Sequence, residues 1–175
     1  MIVDKTDVKQ RTLWLVILAA ATIGGSLIFA CAMPFAALAA LAAIFLPKRD
    51  GLVLIIGTFA ANQCIGYGLL DYPRTWDSFA WGAVIGVSAL LALFAGWGAQ
   101  RLVHSFWPAA VATFAASFAV YELALYVPVA FLPSGDVYTV SIISYVLVVN
   151  LLGFIGLWML QEAGRKVGLA SAAHA

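Results

Sequence analysis

The chain has 175 residues, of which 65% are hydrophobic and 10% charged, with a mean hydropathy of +1.04. Soluble domains average roughly 45–50% apolar and 25% charged residues, so this composition excludes a soluble domain, and the same excess of apolar surface excludes a disordered chain. A net charge of +1 leaves no basic surface for nucleic acid.

Charge-poor stretches cover residues 12–47, 52–70, 78–99, 106–131 and 137–160. A membrane-crossing helix needs about 20 apolar residues. The first stretch is too long for one span and barely long enough for two. Pro34 supplies the break, because proline lacks an N–H donor and disfavours helix in the residue before it. Two helices of about 17 residues, joined by a tight turn near residues 31–34, then fit the first stretch. The expectation is an all-α integral membrane protein, a single domain over residues 1–175 with six transmembrane helices. A short segment, 1–11, precedes the bundle and a short tail, 161–175, follows it. The first apolar run continues too far for a cleaved secretory leader, so it is expected to remain as a span.

The basic residues give the orientation. With the N-terminus inside, Lys5, Lys9, Arg11, Lys48, Arg49, Arg101, Arg165 and Lys166 lie on the cytoplasmic side and only Arg74 outside. That is the expected positive-inside bias. A five-span arrangement places Lys48, Arg49 and Arg101 opposite the N-terminal cluster and destroys it. Both termini are therefore expected inside. The external loops are short, at 71–77 and 133–136, and no soluble domain is expected. With no Gly-rich phosphate loop in the sequence, any ATP hydrolysis belongs to another subunit.

Helix 1 carries small residues four apart, Ala20 with Gly24 and Ala21 with Gly25, and helix 2 continues with Ala36, Ala40 and Ala39, Ala43. Such faces let helices approach closely. They serve internal packing or the docking of a partner subunit. Trp14, Trp76, Trp81, Trp107, Trp158 and, nearer the inner end of its helix, Trp97 read as interfacial anchors.

Polar side chains gather toward the outside. At about 1.5 Å per residue, Asn62, Gln63, Cys64 and Tyr67 on helix 3 run from mid-membrane to the outer boundary. Tyr121 and Glu122 on helix 5 fall in the outer third, and the loop after helix 3 adds Asp71, Tyr72, Trp76 and Asp77. This distribution suggests a pocket open to the external face. An uncompensated carboxylate in hydrocarbon costs about 2.5–3.5 kcal/mol on insertion scales. Glu122 therefore either binds a ligand or sits protonated or snorkelling beside Tyr121 or Tyr126. Asn62 and Asn150 either line the pocket or bond neighbouring helices. Gly66 and Gly68 remove bulk beside this run, so a ligand or another backbone can come close. Cys64 has three readings: an inert buried thiol, a disulfide partner of Cys31, or a soft ligand to a metal that arrives inside an organic cofactor. His104 and His174 lie on the cytoplasmic side, so a metal held by the protein alone is not expected.

Six helices in a short chain, both termini inside, a small-xxx-small first helix and an externally open polar pocket together resemble the substrate-binding S components of energy-coupling-factor (ECF) vitamin transporters. The resemblance is one of architecture over the whole chain. It implies that Ala20, Ala21, Gly24 and Gly25 dock on a transmembrane coupling subunit and that a vitamin binds under the external loops. The segment Asn62-Gln63-Cys64-Ile65-Gly66-Tyr67-Gly68 is similar to the solitary cobalamin-specific S components of Gram-negative bacteria, which ligate cobalt through a cysteine sulfur and can strip cyanide from cyanocobalamin. On that resemblance Cys64 is the cobalt ligand and its catalytic group, Tyr67 and Asp71 touch the corrin or its amide rim, and the location is the bacterial inner membrane. Cobalamin is then the substrate, and no cofactor is intrinsic. An amphipathic corrin wants apolar and aromatic walls with a few polar groups, for which Tyr67, Tyr72, Trp76, Trp81, Tyr121 and Tyr126 are available. The expected ligand-binding set is Asn62, Gln63, Cys64, Tyr67, Asp71, Tyr72, Tyr121 and Glu122. Two other functions fit the composition. One is an accessory subunit of a larger membrane complex, whose polar residues only pack helices. The other is a redox protein using Cys31 and Cys64 as a dithiol, although no C-x-x-C motif is present.

Overall fold

The computed structural model describes residues 5–28, 33–132 and 139–170. The described residues form six α-helices and no strand: α1 (Lys5–Ile28), α2 (Phe35–Phe45), α3 (Lys48–Gly68), α4 (Trp76–Leu102), α5 (Phe106–Tyr126) and α6 (Val140–Lys166). A 3-10 turn, Val127–Ala130, extends α5. Helices α3, α4, α5 with its extension, and α6 are long and apolar enough to cross a membrane. Charge matches dipole at several ends. Asp50 and Asp77 stand in the first turns of α3 and α4, and Arg101, Arg165 and Lys166 in the last turns of α4 and α6; each sits where the helix macrodipole favours its sign.

The first stretch divides unequally, not into two helices of similar length. α1 reaches back through the charged N-terminal segment to Lys5, while α2 has only 11 residues. Two prolines set the length of α2. Pro34 occupies its N-cap, and Leu46, forced extended by the proline that follows it, closes it at φ −111°, ψ 146°. At about 1.5 Å per residue α2 is about 16 Å long, half the hydrocarbon thickness of about 30 Å. The turn expected at residues 31–34 coincides with the described Pro34. Cys31, the loop 133–136 and His174 lie outside the described residues.

α2 is the axis of the bundle. All its residues but Ala43 are buried, and it packs on α3, α4, α5 and α6. A helix that is apolar all round belongs in such an interior. Its buried N-terminus presents backbone N–H groups that no water reaches, and α6 supplies the cap. The Ala37 N–H donates to Asn150 Oδ1 at 3.0 Å, and Asn150 Nδ2 donates to the Val146 carbonyl at 3.0 Å. Asn150 therefore packs helices. α4 and α5 share the most extensive contact between any two helices of the described residues, joined by Ser117 Oγ donating to the Ala92 carbonyl at 2.9 Å.

Contacts between elements gather one set of helix ends together. Arg11 of α1 pairs with Asp50 of α3, and Gln10 donates to the Gly168 carbonyl after α6. Trp14 Nε1 donates to Gln161 Oε1 at 2.9 Å. Lys48 Nζ lies 5.9 Å from the centroid of the Trp97 ring. Trp158 of α6 meets Phe45 of α2 edge-on at 4.9 Å and stacks on Trp107 of α5 at 5.8 Å. The N-terminal ends of α1, α3 and α5 thus share one end of the bundle with the C-terminal ends of α2, α4 and α6. Arg11, Lys48, Arg49, Arg101, Arg165 and Lys166 mark this basic end.

Candidate functional site

The opposite end is organised by a ladder between α3 and α4. Phe59, Gln63 and Tyr67, four apart on α3, meet Gly86, Gly82 and Ser78, four apart on α4. A Cβ added at Gly86 would lie 2.8 Å from the Phe59 ring, and one at Gly82 would lie 3.2 Å from Gln63 Nε2. The Tyr67 hydroxyl and Ser78 Oγ are 3.1 Å apart in a hydrogen bond. Large side chains on one antiparallel helix thus enter small positions on the other at every turn. The spacing of Ser78, Gly82 and Gly86 is readable in the sequence, but only against its partner row on α3.

Above the ladder, the connection from α3 to α4 folds back over the end of α3. Asp71 adopts φ +49°, the left-handed conformation that reverses a chain after a helix. The Tyr72 N–H donates to the Gly66 carbonyl at 3.0 Å, and the Tyr72 ring lies directly on the Cα of Gly66, where any side chain would collide. Tyr67 stacks on Phe79 at 4.8 Å and meets Tyr72 edge-on at 5.9 Å. Arg74 Nη2 donates to the Tyr67 carbonyl at 3.1 Å. The result is an aromatic cap of Tyr67, Tyr72 and Phe79.

The other expected residues fall around this cap. Gln63 and Tyr67 face α4, Asn62 is half-buried, and Asp71 is exposed. Cys64 is exposed, on the stripe of α3 that carries Val53, Ile56, Ala60 and Gly68. Its thiol thus points away from the α4 ladder, on a different face from Gln63. On α5, Tyr121 is buried and Glu122 half-buried, with Glu122 Oε1 shielded from solvent. α3 and α5 each pack on α4. On α1, Ala20, Ala21 and Gly24 are exposed, and no atom comes within 4 Å of a Cβ placed at Gly24 or Gly25. Among the described residues no three His, Cys, Asp or Glu side chains gather as a metal site.

Gly66→Ala is expected to lift Tyr72 off α3, because the added methyl occupies the place of the ring. Amide hydrogen exchange across residues 69–75 should accelerate while exchange in α4 and α5 stays slow. An unchanged pattern would refute the close contact.

No family model, curated protein or solved structure matches this chain.

Proposed function

We propose that this chain is a vitamin-binding membrane protein of the S-component type, with cobalamin as substrate. Its six-helix bundle sits in the bacterial inner membrane with both termini and the basic end in the cytoplasm, and α2 covers only part of the membrane depth. The observation that carries this reading is an exposed cysteine, Cys64, one turn before Tyr67 on α3 and toward the end of the bundle opposite the basic end, with its thiol on the exposed stripe of the helix and the Tyr67–Tyr72–Phe79 cap on the neighbouring face.

Two supports are physical. Short helices are tolerated at membrane depth when protein, not lipid, surrounds them, and α2 is enclosed by four helices. The positive-inside rule then assigns the basic end to the cytoplasm. An exposed thiol on the flank of α3, one face round from an aromatic cap, is accessible to a large amphipathic ligand carrying a metal that accepts sulfur. The ligand exchange balances simply. The Cys64 sulfur donates an electron pair to cobalt(III), cyanide leaves with the pair that bound it, and the thiol proton passes to cyanide or solvent. No redox change is needed. Asn62, Asp71 and Tyr72 are the polar and aromatic groups nearest in sequence to contact the corrin rim, with Gln63 and Tyr67 holding the wall against α4. Tyr121 and Glu122 contribute from α5.

The unfilled surface beside Ala20, Ala21 and Gly24 suits docking of another membrane helix, the ECF coupling subunit. The same face also supports the alternative, an accessory subunit of a larger complex with no small-molecule ligand.

The test is the absorption spectrum of purified protein incubated with cyanocobalamin or hydroxocobalamin, for wild type and Cys64→Ala. A corrin that co-purifies with a shifted spectrum, with the shift lost in the variant, is the expected result. Retained binding without a spectral difference would retire Cys64 as the ligand. No bound corrin in either protein would overturn the cobalamin reading.

A further inference from the structure

We propose that α1 is a latched helix. Among the described residues, polar contacts of Gln10, Arg11 and Trp14 at the basic end hold it against α3 and α6, and their release frees α1 without unfolding the bundle around α2. This inference rests on the membrane-spanning reading and not on the identity of the ligand.

The contacts are Arg11 with Asp50, Gln10 with the Gly168 carbonyl, and Trp14 with Gln161. The rest of the attachment is narrow. Over residues 8–25, α1 buries only Trp14, Leu18 and Thr22, one side chain per turn. Thr22 spends its hydroxyl on its own helix, donating to the Leu18 carbonyl at 2.8 Å. The other side of α1 is open at Ala20, Ala21 and Gly24. In lipid, apolar contact gives little net drive for association, because acyl chains are as apolar as leucine. Polar contacts therefore carry a large share of the hold on α1, beside the packing of Trp14 and Leu18 on the core.

Two features make these contacts releasable. The side chain of Arg11 is 43% exposed while that of Asp50 is 8% exposed, so the cation of the pair is the partner that can exchange into water. Beneath them a cleft of about 350 Å³, bordered by Trp14, Leu15, Leu46 and Leu169, separates α1 from the α2–α3 corner. On the side of the α2–α3 corner the base of α1 is thus held by the Arg11–Asp50 pair across a gap, while on the α6 side the Trp14 ring packs directly on Gly164. The receiving side is fixed. Gly168, at φ +76°, turns the chain after α6 so that the Leu169 and Ala170 N–H groups bond the Gly164 carbonyl at 2.8 and 3.2 Å. That turn presents the Gly168 carbonyl to Gln10.

The test uses the full chain in nanodiscs, in a Cys31→Ser, Cys64→Ser background. Spin labels at Leu13→Cys and Val53→Cys, both on exposed positions, report the α1–α3 distance by electron–electron resonance. Labels at Leu91→Cys and Leu123→Cys, exposed on α4 and α5, report the bundle. The protein with Arg11 and Asp50 intact should give one narrow α1–α3 distance. Arg11→Met with Asp50→Leu, which removes both charges together, should add a longer population while the α4–α5 distance is unchanged. Arg11→Asp with Asp50→Arg should restore the single distance. A single distance retained in the uncharged pair would overturn the latch. So would an α4–α5 distance that lengthens in parallel, or an exchanged pair that stays loose or fails to fold.

Discussion

Gly96→Leu is expected to force α2 away from the α4–α5 pair and to lower the unfolding temperature of the detergent-solubilised protein sharply, whereas Gly98→Leu should leave it near that of wild type. The two glycines are two residues apart on α4 and face opposite environments. A Cβ at Gly96 would meet Ala43 Cβ and Ser117 Oγ at 2.9 Å and Thr113 Cγ2 at 3.3 Å; at Gly98 nothing lies within 4 Å. None of the three neighbours can swing aside. Ala43 has no rotamer to change, and Ser117 is held by the Ala92 carbonyl at 2.9 Å. Thr113 is held by the Ala109 carbonyl at 2.7 Å. The helices themselves must move. Extra methylenes in a packed core cost about 1–3 kcal/mol even when partly accommodated, and leucine brings a full side chain to a site already too close for a methyl. At the exposed Gly98 the same change gains helix propensity of about 1 kcal/mol. The measurement is the temperature at which the monodisperse peak is lost in size-exclusion chromatography. Equal losses for the two variants would show that α4 does not approach α2 and α5 as closely as described.

Much of the fold is legible from charge spacing and proline chemistry, and the parts that are not have definable causes. The break before α2 follows from Pro34, and the starts of α3 to α6 from charged residues. The length of α2 does not follow, because a span rule assumes that lipid surrounds the helix, and α2 is enclosed by protein. Depth along α3 could be estimated from its start, but the rotational setting could not. Asn62, Gln63, Cys64 and Tyr67 therefore read as one polar run, although Gln63 and Tyr67 turn toward α4 and Cys64 lies on the exposed stripe. Spacing within one helix is visible in a sequence. The matched spacing of Phe59, Gln63 and Tyr67 against Gly86, Gly82 and Ser78 exists only once two helices are aligned antiparallel. The Arg11–Asp50 pair was hidden for a similar reason: both residues counted only as charges at helix ends, and nothing in the sequence says which ends touch. Asn150 is the opposite case. Its two roles were both chemically sound, and its pair of hydrogen bonds to Ala37 and Val146 decides for packing.

That decision carries the second large effect. Asn150→Leu keeps the side-chain volume and removes both polar atoms, so it leaves the Ala37 N–H in the first turn of α2 without an acceptor. A buried donor stranded in this way costs about 1–3 kcal/mol, and the upper part of that range is expected here. A helix that ends at the membrane surface can replace a lost cap with water. α2 cannot, since Phe35, Ala36 and Ala37 are fully buried. The positive end of its dipole also loses the only side-chain oxygen bonded to it among the described residues. The comparison is Thr139→Val. Thr139 caps α6 through its side-chain oxygen, which accepts from the Ile142 N–H at 3.3 Å in an exposed position, so solvent can substitute and the loss should be smaller. Asn150→Asp retains the acceptor for Ala37 but sets a second acceptor against the Val146 carbonyl and buries a carboxyl group, at a cost of about 2.5–3.5 kcal/mol when charged, so at neutral pH its stability should be no higher than that of Asn150→Leu. Unfolding by titration with sodium dodecyl sulfate in mixed micelles ranks the three, and hydrogen exchange at Ala37 locates the change. If Asn150→Leu is no less stable than Thr139→Val, the N-terminus of α2 has an alternative partner. Asn150 would then be free to serve a ligand, as the polar residues of α3 are proposed to do.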